Sequence, residues 1–265
     1  MTLRLTQGSL RHANGVDALR NIDVQIGAGE QVAIIGPSGA GKSSLLNLLA
    51  TALKPSSGDI EVLGERAWHL SAHQRQRLRA RIGLVHQAPP IPPRQRVITA
   101  VLAGKLGQWS LGKSLLNLLH PLDVAGARAA LARLDLRDKL FAHCQQLSGG
   151  QLQRVGIARV LYQAPEILLA DEPVSAMDPV LAGHTLSILS RHAREHNVTL
   201  VASLHAVDLA LAHFPRIIGL RDGQILFDCP SDQVSRDKLD ALYANEQLQS
   251  PAPAVAPLIV QIPRC

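Results

Sequence analysis

The chain has 265 residues, of which 46% are hydrophobic and only 3% aromatic, and it carries a net charge of +6 with a pI near 9.6. Its core must therefore be built from Leu, Ala, Val and Ile, in one large domain or two small ones, which favours an α/β fold over an all-β sandwich. The basic balance favours anionic partners without choosing among nucleotide, nucleic acid and an anionic membrane face. There is no apolar run of about 18 residues, no signal-like N-terminus and no CxxC among Cys144, Cys229 and Cys265, so neither a membrane span, a secretory leader nor a disulfide framework is expected.

In chain order, Ile22–Ile26 alternates as a strand, and 27–30 reads as a turn before the short apolar strand Gln31–Ile35. Ser43–Leu53 is helix-forming and is ended by Pro55 and Gly58. Strand Asp59–Leu63, the basic helix Ser71–Arg81 and strand Ile82–His86 follow. The stretch 88–96 holds four prolines, which excludes regular structure. From there to about Gln163 the Leu/Ala periodicity is helical. Strand Ile167–Ala170, helix Val180–His196, strand Val198–Ser203, helix Val207–Ala212 and strand Arg216–Leu220 come next. The turn at 221–223 then leads into Gln224–Phe227. Strands alternating with helices predict an α/β core with a largely parallel sheet, an antiparallel part and an inserted helical subdomain over about 95–163. The core spans 1–249, and the Pro/Ala-rich tail 250–265 is expected to be disordered.

Gly36, Pro37, Ser38, Gly39, Ala40, Gly41, Lys42 and Ser43 fit G-x-x-x-x-G-K-[ST] between a strand and a helix that continues through Ser44. The glycines let backbone N–H groups converge on phosphate oxygens at a helix N-terminus. Lys42 then reaches the β- and γ-phosphates, and the Ser43 hydroxyl can hold Mg²⁺. This loop alone says only P-loop NTPase, a class that includes kinases, motors and GTPases. After the apolar run 167–170, Asp171 and Glu172 sit at a strand C-terminus, where open parallel sheets gather ligands. Asp171 is placed for the Mg²⁺ shell and Glu172 for polarising a water. Ser148, Gly149, Gly150 and Gln151 open another helix and make a second anion-binding N-terminus. Two phosphate cradles in one chain can serve one ATP only if two chains face each other.

These three motifs resemble the nucleotide-binding subunits of ATP-binding-cassette transporters. The likeness extends over about residues 2–245, to Gln87 as the Q-loop glutamine, Ser175–Asp178 as the D-loop and His205 as the switch histidine. His12 stands where the family places an adenine-stacking aromatic. The resemblance implies ATP and Mg²⁺ as ligands, with Ser43, Gln87 and Asp171 around the metal and Glu172 as base. It implies Gln87 and His205 as γ-phosphate sensors, and a head-to-tail homodimer in which Ser148 and Gly150 of one chain close on the other's phosphate loop. It also implies integral-membrane permease subunits docked near Gln87, a periplasmic solute-binding protein, no nucleic acid, and a peripheral place on the cytoplasmic face of the inner membrane. Segments 170–179, 203–210 and 225–230 are similar to those of phosphonate/phosphite-type importer ATPases. An importer for another solute, an exporter and a non-transport member of the class are the alternatives. Two departures stand out: Pro89, Pro90, Pro92 and Pro93 follow Gln87, and Gly156 and Val160 stand where alanine is usual. The pairs His69/His73 and His192/His196 and the run Arg75, Arg77, Arg79, Arg81 read as solvated helix faces.

Overall fold

In the computed structural model, which describes residues 2–244, two sheets enclose one helix and a set of helices covers the outer face. The N-terminal sheet is antiparallel and holds β1 (Leu3–Arg11), β2 (Asp17–Ile26), β4 (Ser57–Val62) and the two-residue β5 (Glu65–Arg66), in the order β2-β1-β4-β5. The second sheet holds β3 (Gln31–Ile35), β6 (Ile82–Val85), β7 (Ile167–Asp171), β8 (Thr199–Ser203), β9 (Arg216–Arg221) and β10 (Gln224–Pro230), in the order β10-β9-β3-β8-β7-β6. All its pairings are parallel except β10 on β9. The tail from residue 250 lies outside the described residues.

The parallel strands are buried on both faces, and their alternation splits them between two cores. Val32, Ile34, Ile167, Leu169, Val201, Ile218 and Leu220 point toward the antiparallel sheet. Ala33, Ile35, Leu168, Ala170, Leu200, Ala202 and Ile217 point toward the outer helices. Helix α1 (Lys42–Leu49) lies between the sheets, so Leu45, Leu46, Leu48 and Leu49 are all fully buried. Its four leucines face the two sheets while Ser43 and Ser44 face the phosphate-loop cavity, and each leucine buried there contributes about 1.5–3 kcal/mol. It stops at Leu49, short of the Leu53 expected from sequence. Thr51 takes a left-handed φ of 55°, and Arg79 of α2 (Ala72–Arg79) binds its hydroxyl (3.2 Å) and its carbonyl.

Between β6 and β7 lie α3 (Val97–Leu102), α4 (Leu111–Leu119), α5 (Val124–Ala132) and α6 (Gly149–Gln163), with short 3₁₀ turns. The Pro-rich stretch before them is irregular, as expected. The base of this insertion is tied by one isolated bridge, Arg96 with His143, and by Val97 N–H to the Ala142 carbonyl. Helices α7 (Pro179–Glu195), α8 (Val207–His213) and α9 (Arg236–Tyr243) complete the chain.

Of the surface expectations, the arginine run is solvent-facing but with Arg75, Arg79 and Arg81 partnered, and His192 is buried. In the arginine run, Arg75 stacks over Trp68 at 4.7 Å and Arg79 holds Thr51, while Arg81 forms a two-pronged pair with Glu166 at 2.6 and 2.8 Å. A spacing of two residues spreads Arg75, Arg77 and Arg79 around α2, where Arg77 and Arg79 are exposed, and Arg81 lies beyond the helix end. His69 precedes α2 in a turn, so it and His73 do not share a helix, although both are exposed. His192 is buried at 7% exposure, edge-on to His196 at 4.5 Å, with Nδ1 3.3 Å from Arg133 Nη1 and Nε2 without a partner. Burial first, then the neighbouring His196 and Arg133 against an opposing Glu195, push the His192 imidazole down to about 4. Because the unfolded chain binds the proton near pH 6.5, this histidine's neutral form favours the fold above that pH, and the advantage is lost as pH falls toward 4. Between pH 7 and pH 5 the unfolding midpoint should therefore drop about 2–4 °C further in the native chain than in a His192→Leu variant; parallel thermal melts check this.

Candidate active site

The phosphate loop leaves β3 at Gly36 and enters α1 at Lys42. Two of its glycines are required by neighbours as well as by backbone. A Cβ on Gly36 (φ +152°) would run into the Leu220 carbonyl, and one on Gly41 (φ +103°) would lie 2.5 Å from the Ala18 carbonyl oxygen. Gly39 (φ +78°) meets nothing within 4 Å. Lys42 is 5% exposed, and its ammonium donates to the carbonyls of Gly36 (2.7 Å) and Pro37 (2.9 Å), so its charge is held inside the curl of the loop. Ser38, Gly39, Ala40, Gly41, Lys42, Ser43 and Ser44 line a cavity of about 460 Å³, a size suited to a small ligand.

The far wall of that cavity is made by Gln87, Glu172 and His205. Asp171 ends β7, and its Oδ1 accepts from Ser43 (3.0 Å) and Ser203 (2.7 Å), which joins the phosphate loop to two strand ends. Glu172 follows in a left-handed conformation (φ 46°) that turns its side chain from the strand direction toward the cavity. Its backbone N–H is held by the Ser203 hydroxyl at 3.0 Å. Glu172 is 8% exposed, with Oε1 2.5 Å from His205 Nε2 and Oε2 accepting from Gln87 Nε2 at 2.6 Å. A non-glycine residue in that backbone region costs on the order of 1 kcal/mol and is held by its surroundings. The set offers a carboxylate flanked by two nitrogen donors and facing an anion cradle. It also offers hydroxyl and carboxylate oxygens on Ser43 and Asp171 beside one another, a donor type that suits a hard cation such as Mg²⁺.

His12, just past β1, also lines the cavity, with Nε2 3.5 Å from the Ser44 hydroxyl. Val16, 56% exposed on the same wall, escaped the sequence reading, because a single valine in a loop carries no motif.

The structure does not bring Ser148, Gly149, Gly150, Gln151 or Asp178 to this cavity. Ser148 caps α6, accepting from Gln151 N–H at 3.3 Å while Gln151 Oε1 accepts from Ser148 N–H at 3.0 Å. Asp178 caps α7, accepting from Val180 and Leu181 at 3.1 and 3.0 Å. Both helix N-termini present polar groups away from their own chain's phosphate loop.

Gln153 links the two regions. It is 1% exposed, donates to the Glu172 carbonyl (2.8 Å), and accepts from Ala176 N–H (3.1 Å). Gln153 thus ties α6 to the backbone of Glu172 and of Ala176. Beside it, Leu84, His86, Pro89, Pro90, Ile91, Gly156, Arg159 and Val160 line a second cavity of about 210 Å³. A Cβ on Gly156 would sit 2.8 Å from Pro89 Cγ. Of the departures noted in the sequence, Pro89 and Gly156 are thus one feature, a proline ring occupying the space that an alanine methyl would need.

A family model for ABC transporters matches residues 19–175. The chain is 88% identical over 265 residues, all of both chains, to the phosphonates import ATP-binding protein PhnC of Pseudomonas fluorescens (strain Pf0-1). It is 72% identical, again over the whole of both, to phosphonates import ATP-binding protein PhnC 1 of Pseudomonas syringae pv. tomato. Among solved structures it is similar to a dimeric bacterial ABC transporter cassette, with a TM-score of 0.76, 28% identity, and 86% of this chain and 98% of that one covered. It is likewise similar to a dimeric ATP-binding cassette bound to ADP and Pi, with a TM-score of 0.73, 29% identity and coverages of 86% and 98%. The phosphate loop, the acidic strand end and these likenesses together make the chain a member of the ABC transporter family, on its ATPase side.

Proposed function

We propose that this chain is the ATP-hydrolysing subunit of a membrane importer for phosphonates or closely related phosphorus oxyanions. The observation that carries the reading is full-length identity of 88% to a phosphonates import ATP-binding protein, in a chain whose Glu172, Gln87 and His205 form one hydrogen-bonded set. In this reading residues 1–249 form the ATPase domain with the helical insertion at about 95–163, and the tail 250–265 lies outside it. The Gly36–Ser43 loop binds the ATP phosphates, and His12 and Val16 flank the base. Mg²⁺, when bound, would neutralise charge on the phosphate oxygens, and Ser43, Asp171 and Gln87 are the residues that would hold it. Glu172 orients a water and takes its proton as the water oxygen bonds to the γ-phosphorus and the bond from that phosphorus to the β,γ-bridging oxygen breaks, releasing ADP and phosphate, while His205 donates a hydrogen bond toward the γ-phosphate. Ser148, Gly149, Gly150 and Gln151, with Asp178 nearby, act on the nucleotide held by a second copy of the chain. That explains why they stand away from their own cavity.

The subunit then sits peripherally on the cytoplasmic face of the inner membrane. Permease subunits dock beside Gln87, and a periplasmic solute-binding protein delivers the solute. Among the described residues no helix is long and apolar enough to cross a membrane, in keeping with a pore made by other chains. The test is ATPase activity of the transporter reconstituted with its permease and binding protein. Binding protein loaded with a phosphonate should raise the rate several-fold, and the same protein without solute, or with sulfate, should not. Equal stimulation by all three, or none, removes the solute assignment.

A further inference from the structure

Helix α4 is inside out for a helix in water. Its Asn117 is buried at 3% exposure and accepts from Leu122 N–H at 3.1 Å, whereas Leu111, Leu115 and Leu116 are 90%, 62% and 53% exposed. Leu111 and Leu115 stand one turn apart on one face, and Leu116 is exposed farther round the helix. Leu106 and Leu122, before and after the helix in sequence, are also exposed. An ordinary surface helix turns such side chains to the core and its amides outward, and a contiguous exposed apolar face marks something that covers it.

Within the segment 97–122 the charges have one sign, and Asp123, which follows, accepts from Gly126 N–H and the Tyr162 hydroxyl. From Val97 through Leu122 there is no Asp or Glu, and the only titratable side chains are Lys105, Lys113 and His120. Lys113 lies 4.8 Å from the centre of the Trp109 ring, which places a cation and an amphipathic indole together at the start of the helix. Leucines on one side, lysine and histidine with no carboxylate, and a tryptophan at the edge are the make-up of a helix that lies in a lipid headgroup layer. A protein partner would need an apolar groove with acidic rims to match it; an anionic lipid surface supplies both features without shape.

We propose that α4 lies directly on an anionic membrane surface, with Leu111, Leu115 and Leu116 among the upper acyl chains and Lys113 and His120 toward lipid phosphates. The subunit would then touch the bilayer itself, in addition to any hold through permease chains. The experiment uses the purified full-length chain with vesicles of phosphatidylcholine alone and of equal parts phosphatidylcholine and phosphatidylglycerol. In a Trp68→Phe background, Trp109 is the one remaining tryptophan. Its emission should shift to the blue with the anionic vesicles only, and the protein should co-float with them in a salt-sensitive way. A Leu111→Ser/Leu115→Ser/Leu116→Ser variant should lose at least about tenfold in vesicle affinity while keeping its melting temperature and basal ATPase. Lys113→Glu, which keeps the leucines, should weaken binding several-fold. Failure of the native chain to bind anionic vesicles, or equal binding by the triple variant, overturns the proposal. A triple variant that binds vesicles normally but no longer co-purifies with the permease also overturns it, and gives the leucine face to the permease.

Discussion

Replacing Glu172 by Gln is expected to lower steady-state ATP hydrolysis by about 10²–10⁴-fold while leaving nucleotide binding intact. The amide nearly matches the carboxylate in shape, so it can still accept from Gln87, now 2.6 Å away, and its NH₂ group can face His205 Nε2, now at 2.5 Å. The left-handed backbone at residue 172 and the Ser203 bond to its N–H are untouched. What is lost is the negative charge and the ability to take a proton from water. With hydrolysis stopped, two chains facing each other across their phosphate loops should stay closed, and size-exclusion with light scattering should show a dimer at saturating ATP. Adding Ser148→Arg should abolish that dimer, because a long cationic side chain at the N-terminus of α6 obstructs the partner's phosphate site. A Gln variant that stays monomeric with ATP, both alone and in the assembled transporter, would falsify the head-to-tail arrangement.

Lys42→Ala should remove most ATP affinity, by about tenfold to a hundredfold or more, since a charge-assisted hydrogen bond is worth about 1.5–3 kcal/mol and this ammonium reaches more than one phosphate oxygen. The structure adds a second consequence. The ammonium also donates to the Gly36 and Pro37 carbonyls, so its removal leaves those groups without their cation and loosens the curl of the loop before any nucleotide arrives. The variant should therefore melt at a lower temperature than the native chain even without ATP. Titration calorimetry reads the first effect and a nucleotide-free melt the second; native affinity in calorimetry would sink the assignment of Lys42 as the phosphate lysine.

The parallel strands were legible to within a residue or two because they are buried on both faces and read as short unbroken apolar runs, as in Gln31–Ile35 and Ile167–Asp171. β1 was not seen. Its alternation of Leu3, Leu5 and Leu10 is broken by a register shift at Gln7 (φ 48°) and Gly8, so a period of two does not survive along its length. α9 was missed because its apolar stripe is short, Leu242 being buried and Leu239 and Tyr243 only partly so. The site divides the same way. The phosphate loop, the acidic pair and the capping serine sit in contiguous motifs, and the cavity brings Gln87 and His205 to Glu172 as the resemblance implied. Gln153 and Val16 carry no such signature. Their places come from the packing of α6 against the end of β7 and from the loop after β1, contacts between segments far apart in sequence. His192 was misjudged because burial on α7 depends on the insertion that leans on it, Arg133 included.

The meeting of Pro89 with Gly156 bears on how this ATPase can be recombined with others. A segment from 87 to 96 moved into a cassette with alanine at the position of Gly156 would drive a rigid ring against a methyl group, at 2.8 Å in the geometry seen here. The reverse graft, alanine into this chain alone, meets the same obstacle. Only the pairing of Pro89 with alanine at 156 is strained, so proline at 89 requires glycine at 156, whereas glycine at 156 does not require the proline.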